Sequence, residues 1–189
     1  MIKTKPLTAD RLAHVDALFA SHPVADRCFC MWFIIPVKTF HGAGREGNRA
    51  SFANLVASDP LPLGLIAYDA GQPVGWCAVG PRRRYVRAMA APTLKQRDRS
   101  EDDTVWLVPC FFISPEARGS GVATALLEAA VEHARSNGAS VIEGFPLAGD
   151  KRRSGGSDFQ TGMEPLFASC GFEPVARPSE NRVIMRREL

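Results

Sequence analysis

The residues best suited to chemistry lie together in one run. An apolar strand ends in Phe111, Phe112 and Ile113. A short polar turn follows, and then Arg118-Gly119-Ser120-Gly121-Val122-Ala123 opens a helix. Glycines at such a turn let a ligand approach the backbone closely. The free N–H groups and positive end of the helix form an anion site suited to a pyrophosphate. Glu143 interrupts the next apolar strand, Val141 to Phe145. A carboxylate on a strand lining a cleft beside that site has the chemistry to deprotonate an amine; an outward-facing or salt-bridged glutamate fits the same position. Cys28-x-Cys30, with His41, Cys77 and Cys110 elsewhere, raises the question of a metal. The spacing matches no standard zinc pattern, so no metal is expected. Trp32, Phe33 and Trp76 point to buried thiols in an aromatic core. Cys110 as a nucleophile has no histidine placed by sequence to activate it.

The elements that position these residues follow from periodicity. Leu7 to Asp10 marks the end of a first strand and a helix start, with Leu12, Val15, Leu18 and Phe19 recurring at helical spacing. Glu46 to Ser58 reads as a second helix. Leu63 to Tyr68 and Val74 to Val79 form a hairpin across Asp69-Ala70-Gly71-Gln72-Pro73. Arg82 to Asp103 is polar and reads as a long loop or irregular insertion, with Arg82-Arg83-Arg84 as solvated charges. Trp106 to Ile113 is a strand with Pro109 inside it, which requires either an edge or a bulge. Val122, Ala123, Leu126, Leu127, Ala130, Val131 and Ala134 give the next helix its apolar face, and Asn137-Gly138 stops it. Val141 to Phe145 is then a parallel strand by the crossover rule. Ala148 to Gln160 reads as a loop, Glu164 to Cys170 as a short helix, and Phe172 to Ala176 with Arg182 to Arg186 as a closing hairpin.

The Arg-Gly-Ser-Gly-Val-Ala core resembles the acyl-CoA signature of the GCN5-related N-acetyltransferases (GNAT), written Q/R-x-x-G-x-G/A. Gly71-Gln72-Pro73-Val74-Gly75-Trp76 resembles the family's Gly-x-x-Val-Gly stretch, and Leu166-Phe167-Ala168-Ser169-Cys170-Gly171-Phe172 its Leu-Tyr-x-x-x-Gly-Phe ending. The order of elements, β-α-α-β-β-β-α-β-α-β-β, matches along most of the chain. The resemblance implies an α/β acyl-CoA N-acyltransferase fold, a mixed central sheet flanked by helices, in a single domain over residues 1–189. It implies acetyl-CoA as co-substrate, an acetyl group moved directly to an amine, and a small-molecule or peptide acceptor. Phe111, Phe112 and Ile113 would bind the pantetheine arm through their backbone. Arg118, Gly119, Ser120, Gly121, Val122 and Ala123 would cradle the pyrophosphate. Phe167 stands where many relatives carry a tyrosine that protonates the leaving thiolate, and phenylalanine has no proton to give. Lys151, Arg152 and Arg153 are candidates for the nucleotide end of the co-substrate. Asp158 and Glu101-Asp102-Asp103 are candidates for binding a cationic acceptor.

A Rossmann dinucleotide loop is the sharper competitor, because Gly119-x-Gly121 precedes a helix and Glu143 lies about 20 residues on. Thr124 in place of the third glycine and the spacer from Ser114 to Arg118 weigh against it. A non-catalytic acyl-CoA-binding sensor is the competitor of a different class. The net charge of +3 over 189 residues gives no reason to expect nucleic acid. No apolar run approaches the ~20 residues needed to span a bilayer. The basic N-terminus lacks the apolar core of a signal peptide. Five cysteines scattered over the chain fit reduced thiols and a cytoplasmic location. The oligomeric state stays open, a homodimer included.

Overall fold

The computed structural model describes residues 1–149 and 160–189. Seven strands run β1 (Lys3–Pro6), β2 (Gly64–Asp69), β3 (Gln72–Pro81), β4 (Val105–Ile113), β5 (Val141–Gly144), β6 (Glu173–Ser179) and β7 (Arg182–Glu188). They form one sheet in the order β1-β2-β3-β4-β5-β7-β6. Every neighbouring pair is antiparallel except β4 and β5, which are parallel. The last strand therefore enters the sheet between β5 and β6.

Among the described residues, six helices cover the two faces: α1 (Leu12–Ala20), α2 (Pro23–Cys28), α3 (Val37–Ser58), α4 (Val86–Ala90), α5 (Val122–Ser136) and α6 (Glu164–Ser169). One face buries Phe19 of α1, Phe29, Phe40 and Phe52 of α3 against Trp76 and Leu107. The other buries Leu126, Leu127 and Ala130 of α5 and Phe167 of α6 against Trp106 and Val108. The apolar positions of α5 follow its helical period, so a single stripe meets the sheet. Asn137-Gly138 ends the helix, with Gly138 at φ 81°. The β2–β3 hairpin turns at Ala70 and Gly71, both with positive φ, as a tight two-residue turn demands.

Two helical segments are added and one expectation is corrected. The helix expected from Glu46 to Ser58 is present as the second part of α3; a further helical segment from Val37 precedes it, and the two are separated at Gly44, whose φ of 62° breaks the helical path. A further short helix, α2, precedes both. Arg82 to Asp103 is no loose loop: α4 lies within it, and Tyr85, Met89 and Leu94 are buried in the core.

Pro109 produces a bulge on an interior strand. Ala78 pairs with Cys110 but Gly80 with Leu107, so β4 spends one more residue than β3 over this step. The faces confirm it. Trp106 and Val108 point into one core and Leu107 into the other. Strict alternation would send Cys110 with Trp106, yet it lies with Leu107. One extra residue reverses the parity of everything after it.

Candidate functional site

The bulge sits where β4 and β5 part. The two strands pair from Val105 opposite Val141 to Val108 opposite Gly144. Beyond that point β5 ends and Pro146 follows, which has no N–H to continue a ladder. The stretch from Pro109 to Ile113 therefore pairs with β3 on one side and with no strand on the other, among the described residues. A cleft of about 790 Å³ opens there, with Cys110, Phe111, Phe112 and Ile113 on its wall. That volume falls in the range of small-molecule sites.

Arg118 and Ala123 line the same cleft. Gly119 and Gly121 have φ of 79° and 82°, and a Cβ on either would meet nothing within 4 Å. These glycines are required by backbone conformation and leave open space above the loop. Gly121 caps α5, and no side chain caps that end of the helix. The first-turn N–H groups of a 15-residue helix thus face outward beside the cleft. The Ser120 hydroxyl donates to the Ala117 carbonyl at 2.6 Å, and the Arg118 guanidinium reaches the Ile113 carbonyl at 3.4 Å. Both bonds tie the loop to the strand end. Val122 is buried and packs under the loop against Gly75, where a Cβ would come within 2.7 Å of it. The structure thus brings Phe111 to Ile113 and Arg118 to Ala123 to one location.

Glu143 is not there. Its side chain is wholly buried at the paired end of the seam. Arg82 contacts one carboxylate oxygen at 3.2 Å, while Arg97 and Arg186 contact the other, Arg186 at 3.2 Å. Glu101 and Asp102 complete the cluster on Arg82 and Arg186. The Glu143 carboxylate is held by three guanidiniums and lines none of the cleft, so Glu143 is corrected from candidate base to structural anion. The same cluster corrects two more expectations. Arg82 is fully buried, not solvated, and Arg84 reaches Asp59 at 3.1 Å and three backbone carbonyls. Glu101, Asp102 and Asp103 are engaged by Arg186, Arg82 and Arg83 and line none of the cleft. Lys151, Arg152, Arg153 and Asp158 lie outside the described residues.

Sequence reasoning missed the second wall of the cleft. His22, Cys28 and Cys30 come from α2 and its flanks and line the cleft together with Cys110. Phe29 and Cys30 are successive non-glycine residues with φ of 45° and 55°, a conformation that costs energy and needs support. Phe29 obtains it from an edge contact with Phe19 and a tilted one with Phe52, and Cys30 from the Trp76 indole, which donates to its sulfur at 3.2 Å. Burial and the nearby Cys30 push the Cys28 thiol up to about 12. The Cys30 hydrogen bond, then burial, raises Cys110 well above its ordinary value. Both are neutral thiols near pH 7, which removes Cys110 as an activated nucleophile. No group of three or more His, Cys, Asp or Glu side chains is arranged to hold a metal among the described residues. The Val24 N–H donates to His22 Nδ1 at 3.3 Å, so the neutral ring carries its proton on Nε2 and presents a donor.

Phe167 is fully buried behind the cleft, edge-on to Phe111 at 6.1 Å and to Phe172 at 5.1 Å. Its ring fills the space a side chain at Gly144 would take, within 2.1 Å of the Cβ position. Gly144 is therefore required where the two strands part.

Residues 29–146, more than half of the chain, match the sequence model of the acetyltransferase (GNAT) family. No curated protein matches the chain by sequence. Among solved structures, a ribosomal-protein-alanine N-acetyltransferase from Brucella melitensis is similar over 99% of this chain and 99% of its own, with a TM-score of 0.58 at 18% identity. The PaiA N-acetyltransferase of Thermoplasma acidophilum, solved with coenzyme A, is similar over 100% of this chain and 99% of its own, with a TM-score of 0.57 at 13% identity. YncA of Salmonella typhimurium, a putative acetyltransferase solved with acetyl-CoA, is similar over 99% of this chain and 93% of its own, with a TM-score of 0.58 at 14% identity. At these identities the likeness is one of fold. No helix among the described residues is long and apolar enough to cross a membrane.

Proposed function

The chain belongs to the acetyltransferase (GNAT) family, and from that premise we propose that residues 1–189 form one catalytic unit that moves an acetyl group from acetyl-CoA directly to an amine. The observation that carries this reading is the parting of β4 from β5 beside an uncapped helix start. One open edge of strand and one set of outward N–H groups meet in the same cleft. The amides from Gly119 to Ala123 hold the pyrophosphate, with the helix dipole favouring its charge. The strand from Phe111 to Ile113 binds the pantetheine arm as a neighbouring strand would. A strand N–H donates to the thioester carbonyl and stabilises the charge that develops there. The acceptor amine attacks that carbon, the C–S bond breaks, coenzyme A leaves as its thiolate, and the nitrogen gives up an N–H proton to water as the amide forms. Holding both reactants in one cleft supplies much of the rate.

Proton transfer is lightly assisted here. Glu143 is engaged elsewhere, His22 presents a donor, and Phe167 carries no hydroxyl. A thiolate with the usual thiol pKa of about 8.5 leaves without obligatory protonation. An amine with a pKa near 10 must first lose its proton to water, so the rate rises with pH. The same features keep the second reading in view, an acyl-CoA-binding sensor without turnover.

Calorimetry with acetyl-CoA, run beside coenzyme A release over a panel of amines, tests both. Binding with amine-dependent release supports the enzyme. Binding with no release on any amine supports the sensor. Absence of binding overturns both.

A further inference from the structure

A second pocket adjoins the open end of the seam, and Gln160 lines both it and the cleft. Its volume is about 420 Å³. Trp32, Phe33 and Phe145 give it aromatic walls, and α4 with the turn after it, including Ala91 and Leu94, closes it. Phe145 directly follows the last residue of β5, so the pocket begins where the strand pairing ends.

Two charged side chains line this pocket, Arg87 and Arg182, and no carboxylate does among the described residues. Arg182 donates to the Phe145 carbonyl at 3.1 Å and to the Thr161 hydroxyl at 2.5 Å. Arg87 is set differently. Its guanidinium lies flat on the Trp32 indole, 3.1 Å from the ring centroid, and one nitrogen donates to the Trp32 carbonyl at 2.6 Å. Its other donors have no partner among the described residues. Burial lowers its pKa from the ordinary arginine value. Elsewhere in the molecule, Arg82, Arg84, Arg97 and Arg186 are half-buried or buried and each has a carboxylate. Arg87 is partly buried too and has no anion among the described residues. A stacked guanidinium is fixed in plane and offers its remaining fork to a carboxylate, a geometry a lysine does not reproduce.

Resting on the acetyltransferase reading above, we propose that the acceptor is a small amino acid with an apolar or aromatic body, its carboxylate held by Arg87 in this pocket and its amine directed past Gln160 into the cleft. The aromatic walls take the body, the guanidinium takes the acid, and the absence of acidic side chains among the described lining residues disfavours polyamines and basic peptides.

Matched amines differing only in the carboxylate test this: L-phenylalanine against phenethylamine, and 4-(aminomethyl)benzoate against benzylamine, which sets amine and acid further apart. The expected result is a kcat/KM at least about 10-fold higher for the acid of one pair or both, the scale of one charge-assisted hydrogen bond. Arg87→Gln should collapse that ratio to within about threefold, mainly through KM, and Arg87→Lys should restore only part of it. Carboxylate-free amines turned over as well as the acids, or a ratio that survives Arg87→Gln, would overturn the proposal while leaving the acetyltransferase reading intact. If no amine releases coenzyme A, that reading fails, and binding decides this one. N-acetyl-L-phenylalanine should then bind the coenzyme A complex at least tenfold tighter than N-(2-phenylethyl)acetamide, with the difference lost in Arg87→Gln. Equal binding by the two would overturn it.

Discussion

The two ends of the β4–β5 seam are built from opposite materials. At the paired end, Leu107 faces Glu143, and the carboxylate is locked among Arg82, Arg97 and Arg186. At the open end the backbone is unpaired, and the walls are neutral thiols and aromatic rings. The difference is a division of labour. A gap between two parallel strands is unstable by itself, since exposed edges seek partners. Buried charges at one end pin the register, because sliding the strands would leave ions unpaired in a low dielectric. The bulge at Pro109 and the stop at Pro146 keep the other end from zipping shut.

The largest expected effect comes from the open end. Gly121→Val puts a β-branched residue at φ 82° and fills the space beside the helix start. Loss of two charge-assisted bonds, each about 1.5–3 kcal/mol, weakens acetyl-CoA binding by roughly 10²- to 10⁴-fold. Calorimetry on the folded variant measures it. An affinity within a few-fold of wild type removes this loop as the phosphate site.

The next effect strikes the paired end. Glu143→Gln strips the anion from three guanidiniums and should cost about 3–5 kcal/mol, or roughly 6–20 °C in Tm for a domain of this size. At temperatures where the variant is folded, its pH–rate limb should match wild type. A fall of about 10²-fold in kcat with a displaced limb would return Glu143 to the chemistry.

A third effect separates the ends by pH. Cys28 is pushed up to about 12 from 9.0. A group whose pKa is raised on folding contributes stability that is whole below the unfolded value and is lost as pH rises through the folded one. The stability that Cys28 contributes should therefore fall from about pH 9 to 12, by up to about 1.4 kcal/mol per pH unit. Arg186 hydrogen bonds hold Glu101 below its usual 4.5, against opposing burial. Its contribution is present above pH 4.5 and lost as pH falls through the lowered value. Cys28→Ala should flatten the alkaline limb of a denaturation–pH series and spare the acid limb; Glu101→Gln should do the reverse. Limbs that respond to both variants alike would sink the separation.

The two ends also differed in how far they could be read from the chain. Gly119-x-Gly121 and the stripe of α5 are local patterns that stand in the structure where the chain put them, and of the two readings that Pro109 left open, an edge or a bulge, the structure has the bulge. The paired end is non-local. Arg82 meets Glu143 across 61 residues, and Arg186 meets Glu101 across 85. A charged run reads as solvated until its partners are known, so three arginines in a row looked like a surface loop. The helix start at Val37 was hidden for a related reason. Its first turns pack Phe40 against Trp32, and this tertiary burial outweighs Gly42, while Gly44 breaks the helical path.

Phe167 sits where the two ends meet, and the smallest effect is expected there. Its ring occupies the space beside Gly144, the last paired residue of β5, and touches Phe111 at the first unpaired stretch. It lines none of the cleft. A tyrosine at this position must therefore house its hydroxyl in a packed interior, not present it to a leaving thiolate. Phe167→Tyr should lower stability by about 1–3 kcal/mol, the usual cost of overpacking, and change kcat by less than about threefold. A thiolate departs adequately without an acid near neutral pH, so a small gain in rate is the most a reoriented hydroxyl could add. Thermal unfolding and steady-state kinetics on one preparation separate the two readouts. A rise of tenfold or more in kcat, with Tm unchanged, would show that the ring faces the cleft and that the open end begins one residue earlier than Gly144.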